Sequence, residues 1–376
     1  MTEPGKSAGT GDRPEGAAPG RTLVALSGGV DSALSAALLR EAGHEVEGAY
    51  IRTWQDESDL GECPARQDIE DARAVAEHLG VPFRIVNLVA DYREKVVSYL
   101  VEGYRRGITP NPDIACNREM KFGVFREVAR EEGFDRIATG HYCRIEGPAG
   151  RLRVREGIDK DKDQTYFLAL TRARDLEAVE FPVGNLRKEE VRRLARARGL
   201  PNARKKDSQG ICFLGKVKID EFLARYIPDR PGEIVDTSGT VRGAHQGLHR
   251  YTIGQRRGIG VPSNTDNEAF VVVSKDLEKN RLVIGFDRAS TPGLYQRRVR
   301  LGSLNWIGEP VREGEVLGAK PRYRDPRQEI RVLGSSESGT EIEFTEPQRA
   351  LALGQILAFY RGEELVGGGV YEEILG

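Results

Sequence analysis

The sequence predicts an α/β fold: a doubly wound parallel sheet, followed by a small β-rich central domain and a C-terminal β-barrel. Three observations carry this expectation. Strand-like and helix-like stretches alternate from Arg21 to about Ile145, as in a parallel sheet with helices on both faces. A Gly-rich turn, SGGVDS at residues 27–32, joins the first strand to the first helix. From roughly Asp220 onward, short strand-like pieces follow one another with Gly, Pro and Asp between them, the texture of small β-domains or a barrel.

The elements follow in order. TLVAL is a short apolar strand, and SALSAALLREAGH carries apolar residues at helical spacing and ends near Gly43. EVEGAYI is a second strand. DIEDARAVAEHLG is a helix with acidic residues early and Gly80 late, as the helix dipole and the C-cap favour. FRIVNLV is a third strand, NREMKFGVFREVAREEG a helix, and RIATGHY a fourth strand. Ligands of such a sheet sit beyond the carboxyl ends of its strands. The later strands are read in GEIVDTSGTVRG, AFVVVSKDLEKNRLVIG, RRVRLGSLNWI, EVLGAKPRYR, QEIRVLG, TEIEFTE and QILAFYRGEELVGGGVYEEI.

The chain has 376 residues, enough for two or three domains. Residues 1–20 are small, polar and Gly/Pro-rich and read as a disordered tail; 21–218 form a nucleotide-binding α/β domain, 219–290 a small central β-rich domain and 291–376 a C-terminal barrel. No apolar run approaches the roughly 18 residues of a membrane span, and the N-terminus lacks the apolar stretch of a signal peptide. Cys63, Cys116, Cys143 and Cys212 are too few for a disulfide scaffold, so a reducing cytoplasmic setting is expected, where a disulfide is transient and catalytic. The formal net charge of −1 argues neither for nor against nucleic acid, so any RNA contact must come from local patches.

Four stretches carry chemistry. SGGVDS follows a strand and opens a helix, where backbone N–H groups and the helix N-terminus attract phosphate. Gly28 and Gly29 allow close approach, Ser27 and Ser32 add hydroxyls, and Asp31, an odd neighbour for phosphates, suggests Mg²⁺. The plain alternative is a tight turn with helix-capping Ser and Asp. In GITPNPDIACNREMKFG, a helix starting at Pro112 puts Asp113 and Cys116 on one face, where Asp113 could take the thiol proton; equally, Asp113 is an early-turn helix acid and Cys116 a small buried hydrophobe. In ARKKDSQGICFLG, Cys212 follows a basic run that favours thiolate, yet stands between Ile211 and Phe213 as a core residue would. In DKDKDQTYFLAL, Lys162, Asp163 and Gln164 precede an apolar helix, with Asp163 as a candidate cap.

In this order, SGGVDS, TPNPDIACNREMKF, ATGHY, KDQTYFLAL, FPVGNLRKEEVRRLA, KKDSQGICFLG, HQGLHRYTIGQRRGIG, KPRYR and GQILAFYRGEELVGGGV resemble the bacterial-type tRNA-specific 2-thiouridylases, from about Thr22 to Tyr371. That family belongs to the PP-loop ATP pyrophosphatases, which cleave ATP between the α- and β-phosphates. Such a loop grips the leaving pyrophosphate, which accounts for its lacking the lysine that steadies the β- and γ-phosphates in γ-phosphoryl transfer. The resemblance implies that ATP lies against Ala25, Leu26, Ser27, Gly28, Gly29, Val30, Asp31 and Ser32, with Ile51 and Gly140 also touching the nucleotide. It implies that Asn111, Pro112 and Asp113 line the pocket for the wobble uridine of tRNA, that Cys116 is the nucleophile with Asp113 as its acid–base partner, and that Cys212 carries sulfur as a persulfide received from a donor protein. Lys162, Asp163, Gln164, Arg322 and Tyr323 are then expected to contact tRNA. Cys143 reads as core, and Cys63 has no assigned role. The segment VPSNTDNEAF is shorter than is usual in the family, which alters a surface loop. The basic stretch from Arg187 to Lys206 is either a solvated face or a phosphate-contacting stripe. Rival readings are a PP-loop synthetase acting on a small molecule, an RNA-binding protein without catalysis, and an iron–sulfur site on Asp113, Cys116 and Cys212.

Overall fold

The computed structural model describes residues 20–54, 64–207, 218–263, 265, 268–336 and 339–376. The expected N-terminal tail (through residue 19), Cys63 and Cys212 lie outside the described residues.

The first body is the parallel sheet. Its strands are β1 (Arg21–Ala25), β2 (Glu45–Arg52), β3 (Phe83–Asn87), β4 (Arg136–Ala138) and β7 (Val179–Glu180), in the order β3-β2-β1-β4-β7. All four neighbouring pairs are parallel. Its strands are buried on both faces, so successive residues serve opposite layers. Leu23 and Ile137 pack against Met120, Phe122 and Phe125 on one side. Val24 and Ala138 pack against α1 (Val30–Glu41), α2 (Pro64–Leu79) and α8 (Lys188–Ala197) on the other. The doubly wound reading therefore holds. The order reverses between β1 and β4, and the crevice beyond their carboxyl ends is the natural ligand site of such a sheet.

On the first face run α3 (Val89–Tyr92), α4 (Ser98–Arg105), α5 (Pro112–Ala115), the π-helical segment Cys116–Val124 and α6 (Phe125–Glu131). Short helices α7 (Ala173–Leu176) and α9 (Ile219–Leu223) complete the described α-elements. The apolar helix expected after Asp163 is a single 3₁₀ turn, Thr165–Leu168.

The central body is a sheet of β8 (Gly232–Asp236), β9 (Val241–His245), β10 (Phe270–Asp276) and β11 (Arg281–Phe286), in the order β10-β11-β8-β9. The third body uses β12 (Tyr295–Trp306), β13 (Val316–Lys320), β14 (Gln328–Ser336), β15 (Gly339–Arg349), β16 (Ile356–Arg361) and β17 (Glu364–Ile374). Their order is β12-β15-β14-β13-β16-β17, and β12 also pairs with β17, so six strands close into a barrel and leave no edge. The closed ring encloses Val299, Ile330, Ile342, Phe344 and Phe359.

A hairpin from the first body, β5 (Cys143–Glu146) with β6 (Arg153–Glu156), adds to this sheet: Val154 pairs with Leu365 of β17. Cys143 is fully buried at its start, as expected of a core residue. The join is ionic as well as backbone-mediated. Lys320 of β13 sits 3.0 Å from both Glu156 and Asp163, and Arg327 is 2.6 Å from Glu156. Burial alone would raise the Glu156 carboxyl; Arg327, Lys320 and Lys160 outweigh it and bring it down to about 2.

The loop before α5 is held by the other two bodies. Lys275 of β10 donates to the Gly107 carbonyl at 3.2 Å, and burial lowers its ammonium to about 8. Thr109 N–H donates to the Leu353 carbonyl at 2.8 Å, and Gln355 Nε2 donates to the Thr109 carbonyl at 2.6 Å.

The Lys320→Met substitution leaves Asp163 a buried carboxylate without its cation, and should cost on the order of 3 kcal/mol, read as a lower urea midpoint for the barrel. Because Glu156 titrates near 2 against an ordinary 4.5, its stabilisation is complete above about pH 4.5 and lost as pH falls toward 2. That acid dependence should shrink in the variant.

Candidate active site

SGGVDS turns sharply from β1 into α1. Gly28 has φ +77°, and a Cβ there would meet the Asp68 carbonyl of α2 at 2.5 Å, so only glycine fits. The loop is internally tied. Ser32 Oγ donates to the Gly29 carbonyl at 3.1 Å and accepts from Ser27 N–H at 3.2 Å. Asn202 Nδ2 donates to the Gly28 carbonyl at 2.9 Å, so the segment after α8 lies along the loop. Ala25 and Leu26 lead into the turn and Val30 is the first residue of α1, buried in the layer beneath it.

The loop has no lysine of its own, yet one reaches it. Lys188, the first residue of α8, places Nζ 2.7 and 2.8 Å from the two oxygens of Asp31 and 2.8 Å from Asp207. Tyr142 hydroxyl donates to Asp31 Oδ1 at 2.8 Å. Asp207 also meets Lys162 at 2.8 Å and Arg192 at 2.7 Å. Burial raises the Asp207 carboxyl, but Lys162 and Lys188 outweigh that and bring it to about 2. A lysine at a helix N-terminus opposes the helix dipole. That misfit is the signal in the sequence that could have marked Lys188, which the motif reading missed.

The fit to Mg²⁺ is poor on the protein's side. Both Asp31 oxygens already face an ammonium, and the described residues include no group of three or more His, Cys, Asp or Glu able to hold a metal ion. The residues present do not make a resident Mg²⁺ site; Lys188 balances Asp31.

The segment after β4 joins this loop to the cysteine helix. Gly140 packs so closely on α1 that a Cβ would lie 2.6 Å from Ser32 N. Tyr142 then points to Asp31, while His141 points the other way, with Nε2 3.5 Å from Lys121 Nζ in the π-helical segment. Ile51, near the end of β2, packs with the first-face core.

The second motif folds as its prolines suggest. Pro112 is the first residue of α5, and Asn111 Oδ1 accepts from the N–H groups of Asp113 and Ile114 at 3.1 and 3.2 Å. Asp113 and Cys116, three residues apart, share a face. Cys116 is 8% exposed. Burial pushes the Asp113 carboxyl up, and the Lys121 ammonium pulls it part of the way back.

The residues expected at tRNA sit differently from one another. Asp163 is 4% exposed, and its carboxylate accepts from Thr165 and Lys320, so it serves the seam with the barrel. Gln164 Oε1 accepts from Tyr142 N–H at 3.0 Å. Lys162, half-exposed, leans on Asp207. Arg322, partly exposed, donates to the Arg349 carbonyl at the end of β15 at 2.6 Å and to that of Ala350. Tyr323 packs on Phe167 with ring centroids 4.3 Å apart. Of the basic stretch, Lys188, Arg192, Arg198 and Lys205 are paired with acids of the same body. Arg193 and Arg196 point to solvent from α8.

Residues 20–216 match the family model described as tRNA methyl transferase HUP domain, 220–286 that of the tRNA methyl transferase PRC-barrel domain, and 296–371 that of the aminomethyltransferase beta-barrel domain. Whole-length relatives decide among the activities these descriptions name. A protein of Akkermansia muciniphila, named tRNA-specific 2-thiouridylase MnmA, is 52% identical over 356 residues, covering 94% of this chain and 99% of the relative. Proteins of the same name from Halalkalibacterium halodurans and Bacillus subtilis are 42% and 41% identical, each over 94% of this chain and 95% of the relative. The chain belongs to the tRNA-specific 2-thiouridylase family. The family's parallel-sheet domain, middle domain and C-terminal barrel are those described above.

Gly140→Ala should displace the first turn of α1. We expect a stability loss of about 1–3 kcal/mol from overpacking, and ATP affinity at least tenfold weaker by calorimetry.

Proposed function

We propose that this 2-thiouridylase replaces the C2 oxygen of the tRNA wobble uridine with sulfur, consuming ATP. The observation that carries the reading is the convergence at one crevice. The SGGVDS turn, with Lys188 against it, and the Asp113/Cys116 helix meet through Gly140, His141 and Tyr142 at the carboxyl ends of β1 and β4.

The uridine leaves the anticodon stack, at a cost of a few kcal/mol that is least for a base already in a loop. ATP lies along residues 25–32, with Ile51 and Gly140 beside it. The uridine O2 attacks the α-phosphorus, forming an O–P bond as the bond to pyrophosphate breaks. Backbone N–H groups of the turn and the Lys188 ammonium stabilise the departing pyrophosphate. Asn111, Pro112 and Asp113 shape the base pocket.

Sulfur arrives as a persulfide on Cys212, supplied by a persulfide-donating protein. By one route its terminal sulfur attacks C2 and displaces AMP. The Cys116 thiolate then attacks Cys212 Sγ, freeing the thiocarbonyl and leaving a Cys116–Cys212 disulfide. By the other route Cys116 first attacks Cys212 Sγ, forming the same disulfide and releasing hydrosulfide, which displaces AMP. Either way two electrons from a thiol reductant reopen the disulfide. Asp113 takes the Cys116 proton. tRNA affinity draws on exposed cations, including Arg193 and Arg196.

Pyrophosphate release should depend on added tRNA; release at the same rate without tRNA would favour a small-molecule substrate. Cys212→Ser should take up no persulfide sulfur from a cysteine-desulfurase system yet still adenylate tRNA. Cys116→Ser should hold sulfur on Cys212 and fail to deliver it, as read by mass spectrometry of trapped persulfides beside a 2-thiouridine assay. Full activity of Cys116→Ser would overturn the two-thiol scheme. Separately, reversing charge at Arg193 and Arg196 should weaken tRNA binding and reduce the slope of log affinity against log salt by about 1–2.

A further inference from the structure

Three cations from two separate stretches of the chain meet at one carboxylate. Lys188 and Arg192, four residues apart on α8, lie on one face of the helix. Lys188 Nζ and Arg192 Nη2 reach the same oxygen of Asp207, Oδ1, at 2.8 and 2.7 Å. Lys162 Nζ takes the other oxygen, Oδ2, at 2.8 Å. Asp207 belongs to the segment after α8 that Asn202 ties to the Gly28 carbonyl, and its side chain is 35% exposed. Lys188 Nζ also lies 2.7 and 2.8 Å from the oxygens of Asp31, so the cations stand at the SGGVDS turn itself.

The charges do not balance pairwise. Lys162, Lys188 and Arg192 directly face two carboxylates, Asp31 and Asp207. Asp159 is close by, but its oxygens accept from the backbone N–H groups of Lys188 at 2.8 Å and Asp161 at 3.2 Å. With Asp207 swung aside, three cations would share the carboxylate of Asp31, an arrangement that a polyphosphate completes. Stability does not account for the cluster, because ion pairs of part-exposed groups such as Lys162 and Arg192 contribute little. A carboxylate taking cations on both oxygens imitates one edge of a phosphate.

We propose that Asp207 is an internal stand-in for pyrophosphate: it occupies an anion site made by Lys162, Lys188 and Arg192, and the β- and γ-phosphates of ATP displace it. The inference rests on the reading that ATP lies along the SGGVDS turn. Arg192 and Lys162 then join Lys188 in a three-cation cradle for the departing group. Lys162, expected at tRNA from its motif, serves the phosphate end of the nucleotide instead. The carboxylate has a second effect. Once the bond between the α- and β-phosphates has broken, Asp207 competes with free pyrophosphate for the same cations. The product is expelled, and the adenylated uridine is not carried back to ATP.

The test is calorimetric titration of the full chain with inorganic pyrophosphate, with AMP as the control ligand and tRNA affinity measured alongside. Asp207→Asn removes the competing charge and should tighten pyrophosphate binding about tenfold, whereas Arg192→Met and Lys162→Met should each weaken it about tenfold. AMP lacks the β- and γ-phosphates, and its affinity should change by less than about twofold in all three. Arg192 also donates to the Lys205 carbonyl, so Lys162→Met carries the cation arm if Arg192→Met does not fold. The sign at Asp207 is decisive. A carboxylate that merely held the cations in place would give weaker pyrophosphate binding in Asp207→Asn, and that result, repeated in Asp207→Ala, would overturn the proposal. Weakened tRNA binding with unchanged pyrophosphate affinity in the Arg192 and Lys162 variants would assign these cations to RNA and overturn it too. The expected shifts in a protein whose wild type forms no 2-thiouridine would uphold the anion site and overturn the function it serves.

Discussion

Four consecutive residues, Thr139 to Tyr142, hold the two halves of the site in one place. Gly140 brings the chain within backbone contact of the first turn of α1, which no larger residue allows. With that contact fixed, the next two side chains must point to opposite sides of the sheet layer. Tyr142 reaches Asp31, whose charge Lys188 balances, and His141 reaches Lys121. The reversal of strand order between β1 and β4 opens the crevice, and this segment decides what faces into it.

The other two bodies bear on the same place. The barrel continues into the first body through β5 and β6, and Lys320 seals the seam against Glu156 and Asp163. Thr109, two residues before the Asn111 cap, exchanges hydrogen bonds with Leu353 and Gln355 of the barrel, and Gly107 accepts from Lys275 of the central sheet. The barrel and the central sheet are therefore tied by hydrogen bonds to the loop that starts the cysteine helix.

The parallel strands, the phosphate-type turn and the start of α5 were legible because their signals are local: apolar runs, a Gly pair, and Asn-Pro at a helix start. The β5–β6 hairpin was not, since its strands are short and charged and gain their partner, Leu365, more than two hundred residues later. Lys188 read as part of a basic stretch because its partner Asp31 is 157 positions away. The partners of Asp163 and Arg322 are likewise distant in sequence from the motif that marked them: Asp163 is buried at the seam against Lys320, and Arg322, partly exposed, donates to the Arg349 and Ala350 carbonyls. The π-winding of Cys116–Val124 leaves no mark in hydrophobic periodicity.

Every later step of the proposed thiolation depends on activation of the uridine oxygen by ATP. A tRNA transcript carrying oxygen-18 at C2 of the wobble uridine, turned over with ATP and a persulfide donor, tests this in one measurement. The label should appear in the phosphate of the AMP released, one atom for each 2-thiouridine formed. AMP without the label, in a reaction that does form 2-thiouridine, would contradict adenylation of the uridine and the assignment of the SGGVDS crevice built on it.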